Sequence, residues 1–339
     1  MKKKKVTIAE IARASGTSAA TVSRSLNHPD LVNENTLLLI HNAMKSLNYI
    51  TEATYTREKD HKKLILVNIS DPSNMFYTDI VQGISSSILF HNYHALFVHE
   101  SLNSSDSIEY LLRQAEDFGV SGIILCNPVH PEYCTKISEH IPIVQCAEYS
   151  SDDFSHVGID DCKATKTALD HIYSLGRRKT LFVNGPLNYR YAKKRQEAFV
   201  SFMEQVGIPP AQYQIINLPK IDFDMAFASV NQTLSSSNLP DSIFATSDVF
   251  AVASLKAAKN HGIQVPRDMV IVGFDNINLL SGVATPSITS VNQPTFQMGY
   301  TASEILLEAI QSKGLCGPPK HVILGTELII RESSSINAS

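Results

Sequence analysis

Residues 6–27, VTIAEIARASGTSAATVSRSLN, admit few folds. Thr7 and Glu10 stand at capping-box spacing, so each side chain can satisfy a backbone N–H where a first helix begins. Ile8, Ile11 and Ala12 then recur at three- and four-residue steps, which gives that helix one apolar face. Gly16 suits a turn that needs a positive φ. Ser18 can cap a second helix, and Val22 and Leu26, four apart, pack it back onto the first. Ala19, Ala20, Ser23 and Arg24 are left on other faces, near the start of the second helix. Two readings fit: an ordinary helical hairpin, or a helix-turn-helix whose second helix meets base edges in the major groove.

The residues that follow favour the second reading. After HPDLVNENT comes LLLIHNAMKSLNYI, where Asn33 can cap a third helix with Leu37, Ile40, Met44 and Leu47 on its buried side. TIAEIARASGTSAATVSRSLN followed by LVNENT and LNYI resembles the DNA-binding headpiece of the lactose-repressor (LacI) family. The resemblance implies double-stranded operator DNA as a partner. Thr7, Ser18, Thr21, Asn27, Asn33 and Tyr49 match the family's phosphate-contacting places and would fix register. Arg24 would read a guanine, whereas Ala19 and Ala20 offer only methyl contacts. Charge agrees: residues 1–50 carry seven Lys or Arg and three Asp or Glu, near +4, which leaves the rest near −8. Lys2 to Lys5 read either as part of that basic face or as a solvated tail.

Residues 51–63, TEATYTREKDHKK, are polar and read as a linker. In the resembled family this stretch is a hinge helix that wedges a leucine into the minor groove. Here Glu58 takes the leucine place, and an acid would be repelled there, so the expectation is a tether.

From residue 64 the chain alternates short apolar runs with helical stretches. Strand-like runs include 64–69, 95–98, 122–126, 141–146, 157–159, 180–185, 214–218, 243–246 and 270–274. This spacing predicts parallel sheets covered on both faces. The expected fold is an all-α helix-turn-helix headpiece (1–50), a linker (51–63) and an α/β core (64–339) of two doubly wound parallel-sheet subdomains. The N-subdomain spans about 64–160 plus 292–325, and the C-subdomain about 161–291 plus 326–339. The closing segments 287–294 and 321–330 complete both sheets in the family, and the core resembles a periplasmic sugar-binding protein. At 339 residues, with 43% hydrophobic and 18% charged, the chain can bury such cores.

Doubly wound sheets bind ligands beyond the carboxyl ends of their strands. Those places present Phe76 and Tyr77, Asn127, Glu148, Tyr191 and Arg195, Phe223, Asp248 and Asp275. By resemblance, Arg195 and Asp275 match family ligand contacts, and Phe76 and Phe223 match its aromatic walls. Aromatic faces with charged hydrogen-bonding groups suit a polyhydroxyl guest. Other readings stay open: Phe76 and Phe223 as core, Asn127 as a loop cap, Glu148 and Tyr191 as solvated, Asp248 as a helix cap, and Gln293-Pro294 as crossover rather than pocket. AEY at 147–149, FDNINL at 274–279 and the LIIR ending look most like the cytidine-repressor branch, so a nucleoside leads and a sugar follows.

The remaining expectations are exclusions and partners. MKKKK precedes a polar-capped helix, no run of 18 apolar residues exists, and five scattered cysteines suit a reducing compartment, so a cytoplasmic protein without a membrane span is expected. No phosphate loop, GxGxxG or GxSxG is present, and neither cofactor, metal nor catalytic residue is expected. The reading is a homodimeric, effector-controlled transcriptional repressor. The alternative is a solute receptor without DNA function.

Overall fold

The structure is a computed structural model. It describes residues 6–27, the positions 32–33, 36–37, 39–40, 43–44 and 47, and then 63–69, 71–312 and 317–335. Lys2 to Lys5, Tyr49, the linker 51–62 and much of the expected third helix lie outside the described residues. Backbone contacts divide the chain into Met1–Lys62 and Lys63–Ser339.

In the first unit, α1 (Ile8–Ser15) begins at Thr7, whose hydroxyl accepts from the Glu10 N–H while the Glu10 carboxylate accepts from the Thr7 N–H at 2.7 Å. Gly16, at φ 67°, ends it in the left-handed region that favours glycine. The Ser18 hydroxyl accepts from the Thr21 N–H at 3.0 Å and starts α2 (Ala19–Asn27). Ile11, Ala12, Val22, Ile40 and Ala43 form a buried cluster, with Val6, Leu26, Met44 and Leu47 packed against it. Ile8 departs from the expected apolar face: it is 37% exposed. It lies in the first helical turn, before the 11–12–15 stripe that meets α2.

The second unit holds two six-stranded sheets. The first contains β1 (Leu64–Asn68), β2 (His94–Val98), β3 (Val120–Leu125), β4 (Ile143–Cys146), β5 (His156–Ile159) and β11 (His321–Leu324), in the order β11-β5-β4-β3-β1-β2, all parallel. The second contains β6 (Thr180–Asn184), β7 (Tyr213–Asn217), β8 (Ser242–Ala245), β9 (Val270–Asp275), β10 (Thr289–Asn292) and β12 (Glu327–Ile329), in the order β12-β10-β9-β8-β6-β7. As expected, this sheet too is built of parallel strands, with one exception at its edge. β12 pairs with β10 antiparallel, because the chain re-enters the second sheet at its edge only two residues after leaving β11. Antiparallel edges on otherwise parallel sheets are a common solution.

The intervening helices are α3 (Tyr77–Phe90), α4 (Ser105–Phe118), α5 (Pro131–Ser138), α6 (Asp161–Ser174), α7 (Arg190–Gln205), α8 (Phe223–Leu234), α9 (Asp248–Asn260), α10 (Asn278–Ser281) and α11 (Thr295–Gln311). Central strands are buried along their length (β4, β5, β6 and β8), which is why they read as continuous apolar runs. The chain passes between the sheets three times: after β5, after β10 and between β11 and β12. No helix among the described residues is long and apolar enough to cross a membrane.

Helix α11 returns the chain to the first sheet and crosses α3 at backbone distance. A Cβ on Gly83 would sit 2.0 Å from the Phe296 carbonyl oxygen, and one on Gly299 would sit 2.1 Å from that of Ile80. Backbone cannot yield as a side chain does. Gly83→Ala is therefore expected to lower stability by about 1–3 kcal/mol, the range for overpacking, read as a fall in melting temperature. An unchanged melting temperature would mean that the helices separate freely.

Candidate functional site

Two features of the described residues are built for recognition. The first is the outward face of α2. At 3.6 residues per turn, positions 19, 20, 23 and 24 fall within one arc of about 140°, turned away from the buried Val22. Ala19, Ala20 and Arg24 are exposed, and Thr21 and Ser23 are half-buried. Thr7 and Ser18 are exposed where they cap their helices, and Asn33 is exposed beyond α2. Each cap hydroxyl thus lies beside a helix N-terminus, where positive dipole ends favour an anionic backbone.

The second feature is a cavity of about 170 Å³ between the carboxyl ends of the two sheets. Phe76, Tyr77, Glu148, Tyr191, Arg195 and Asp275 all line it. Asp71, Asn74, Asp161, Tyr189, Lys220 and Gln293 line it too, and of these Asp71, Asn74, Asp161 and Lys220 are not singled out by the sequence. Asp161 carried a weak signal, since the VGIDD string places acids at the end of a buried strand.

Three expected residues point elsewhere. Asn127 lies behind the wall, where its amide donates to the Asn68 side chain and to the Glu100 carbonyl at 3.3 Å. Phe223 opens α8 and stacks on Phe227 with ring centres 6.4 Å apart, packed against the core of the second sheet. Asp248 is fully buried and neither lines the cavity nor caps its helix by its side chain; Ser247 is the cap. Asp248 instead accepts from the Ile277 N–H at 2.6 Å and from the Ser290 hydroxyl at 2.7 Å, and so holds the turn after β9. Gly273 makes room for it, as a Cβ there would lie 2.4 Å from its carboxylate oxygen.

That turn carries Asp275 at φ 97° and Asn276 at φ 57°, a backbone region that non-glycine residues rarely adopt. The Gln293 side chain donates to Asp275 at 2.7 Å, and the Asn276 N–H donates to Ser290 at 3.1 Å. Ala147, at φ 68°, likewise aims Glu148. Strained residues kept in place by several contacts cluster at binding sites.

Arg195 is 3% exposed. Its Nε donates to Asp161 at 2.9 Å and its Nη1 to the Thr246 carbonyl at 2.9 Å. The guanidinium lies 3.5 Å from the Phe274 ring centre and 4.8 Å from that of Tyr191. Tyr191 packs over Gly185, where a Cβ would come within 2.5 Å of the phenol oxygen. Glu148, from the first sheet, accepts from the N–H groups of Arg190 and Tyr191 at 2.9 and 3.1 Å, at the start of α7 on the second sheet. Arg190 adds a bond to Asp161 at 3.1 Å and covers the Tyr149 ring at 3.9 Å. The sheets are thus clasped by carboxylates on one side and helix-end N–H groups and guanidinium groups on the other. Away from the cavity, Asp152, His156 and His321 gather within 4.8 Å, but His156 is stacked between Tyr149 and His321, and the His321 Nε2 bonds the Asp152 carbonyl at 2.8 Å.

Burial raises Glu148 to about 7, Asp248 to about 7 and Asp275 to about 8. For Asp275 the nearby Arg195 works against burial and the nearby Asp248 works with it. A raised carboxyl binds protons in the fold that the unfolded chain has released. Stability from these groups is therefore greatest below about pH 4 and falls as pH rises through about 8. The melting temperature is expected to decline between pH 5 and 8, and Asp275→Asn should flatten the decline. An equal slope in the variant would exclude Asp275 as its source.

A small helical headpiece with an exposed second helix, and a two-sheet core with a ligand-sized cleft, define a helix-turn-helix protein with a solute-binding-type core. Family models divide the chain the same way. The model described as bacterial regulatory proteins, lacI family, matches residues 7–52, and that of the periplasmic binding protein-like domain matches residues 169–334. Residues 7–52 thus belong to the lacI family of bacterial regulatory proteins. It is similar to the HTH-type transcriptional repressor CytR of Escherichia coli strain K12, 28% identical over 336 residues, covering 97% of this chain and 96% of that protein. It is similar also to the ribose operon repressor of Halalkalibacterium halodurans, 27% identical over 97% of each chain. The lac repressor dimer bound to operator and the anti-inducer ONPF shares the fold, with a TM-score of 0.82 at 21% identity over 98% of this chain and 99% of that one.

Proposed function

We propose that this protein is a transcriptional repressor that grips operator DNA through α2 and loosens or tightens that grip when a small polyhydroxylated molecule fills the cleft. The observation that carries the reading is the pairing in one chain of an exposed helix-turn-helix face with a strained, charge-lined cavity at the carboxyl ends of two sheets. The relatives named above are the HTH-type transcriptional repressor CytR and a ribose operon repressor, and the shared fold is seen on an operator.

In this reading Ala19, Ala20, Ser23 and Arg24 face base edges, and Thr7, Ser18, Thr21, Asn27, Asn33 and Tyr49 contact phosphates. Arg195, Asp275, Glu148, Tyr191, Phe76 and Tyr77 hold the effector, a nucleoside before a sugar. A homodimer places two recognition helices in successive major grooves. Effector contacts to both sheets change their mutual orientation and, through it, the spacing of the headpieces. The protein works in the cytoplasm and catalyses no reaction.

Two measurements test this. Affinity for promoter DNA in a gel shift should fall steeply with salt, because phosphate contacts release counterions. A thermal-shift screen with nucleosides and sugars should find a compound that raises the melting temperature, since binding only the native state stabilises it. Absence of DNA binding at low salt, with and without each compound, would overturn the repressor reading and leave the solute receptor.

A further inference from the structure

The anion-attracting features of the cavity wall are already filled by the protein itself. A long helix attracts anions at its start, where N–H groups lack intrahelical acceptors and the dipole is positive. At the start of α7, a helix of 16 residues, the Arg190 and Tyr191 N–H groups both donate to the carboxylate of Glu148. The Arg195 guanidinium is held by Asp161 at 2.9 Å. Lys220, the other cation on the lining, pairs with Asp222 at 2.9 Å. Asp71 and Asp275 add two further carboxyl groups to the wall.

On the reading that this cavity is the effector site, we infer that Glu148 sets the charge of the ligand: it occupies the seat a phosphate would need, so the cavity takes an uncharged polyhydroxylated guest and rejects its phosphorylated form. Hydroxyl groups can donate to the carboxylates and accept from the N–H groups that remain on Arg195. Above about pH 8, where Glu148 and Asp275 are ionised as well, a phosphate dianion would instead meet Asp71, Glu148, Asp161 and Asp275, with both lining cations already paired. Like-charge juxtaposition in a partly desolvated site costs several kcal/mol, so discrimination on the order of 100-fold or more is expected.

The test uses the full-length protein in thermal-shift and calorimetric titrations. The probes are ribose, ribose 5-phosphate, cytidine, cytidine 5′-monophosphate and inorganic phosphate, with sodium chloride at matched ionic strength. The expected result is that a neutral probe binds, its phosphorylated partner binds at least about 100-fold more weakly, and inorganic phosphate does no more than chloride. In Glu148→Ala the helix start is vacated, and inorganic phosphate should then raise the melting temperature. Glu148→Gln keeps the size of the side chain and should gain part of that response even if the alanine variant folds poorly.

Inorganic phosphate stabilising the unaltered protein, or a phosphorylated probe matching its neutral partner, would overturn the inference while the cavity reading stands. Variants that gain no phosphate response would remove Glu148 from the role. Failure of both neutral probes would sink the cavity reading, and this inference with it.

Discussion

Arg195→Ala is expected to abolish the effector response while leaving operator binding in place. Arg195 lines the cavity, spends two of its five N–H groups on Asp161 and Thr246, and lies flat against Phe274. The rest of the fork is held in place and almost wholly buried, which is where a charge-assisted hydrogen bond counts most. Each such bond contributes about 1.5–3 kcal/mol, so loss of the fork should weaken effector binding roughly 100-fold or more. Removing one member of a buried ion pair can also unfold a protein, at about 3–5 kcal/mol. Here the cost is softened because Asp161 keeps Arg190 at 3.1 Å. Arg195→Lys separates the two effects: it keeps the charge but not the planar fork, so stability should recover more than affinity. Equilibrium titration of the effector, beside gel shifts of both variants, reads the outcome. A variant that still answers the effector as the unaltered protein does would displace Arg195 from the site.

How far the sequence reveals this arrangement depends on which link is asked about. Strand and helix positions were legible because buried parallel strands must be apolar throughout, as in LILVN and TLFVN, and because Thr7 and Glu10 declare a helix start chemically. The antiparallel sense of β12 was not legible. HVILGTELII reads as one apolar run, and only tertiary packing divides it between two sheets at Gly325 and Thr326. The site shows a similar limit. Topology dictates that loops after the strands gather in one place, so Glu148, Arg195 and Asp275 could be singled out. It does not dictate where each side chain points. Asp248 and Asn127 sit in equivalent places yet turn inward to hold a turn and a neighbouring amide. Phe223 prefers Phe227 and the alkyl core of its own sheet. Asp161 was overlooked because its meaning comes from two arginines, 29 and 34 residues away, that only folding brings to it.

Arg24→Ala should erase operator selectivity while leaving effector affinity unchanged. Arg24 is exposed on the outward face of α2, whereas Val22 and Leu26, on the other side, are committed to the headpiece core. Truncation should therefore leave the headpiece folded. Among the residues on that face, Ala19 and Ala20 can touch a thymine methyl but cannot read a donor–acceptor pattern, and Ser23 is short and non-committal between bases. The guanidinium is the group able to make a bidentate contact with guanine, which discriminates by about 1–3 kcal/mol per half-site. A dimer uses it twice, so the specific complex should weaken by about 2–6 kcal/mol, roughly 30-fold to more than 10⁴-fold, and approach the affinity for random DNA. Loss of a base-reading arginine also differs in kind from loss of a phosphate contact. Arg24→Ala should collapse the ratio of specific to non-specific binding, whereas alanine at Thr7 or Ser18 should weaken both alike. Binding isotherms on operator and scrambled duplexes at two salt concentrations, with effector titrated separately, distinguish these outcomes. Retained selectivity would move the reading of sequence away from α2, and a fall in effector affinity would contradict the independence of headpiece and cleft.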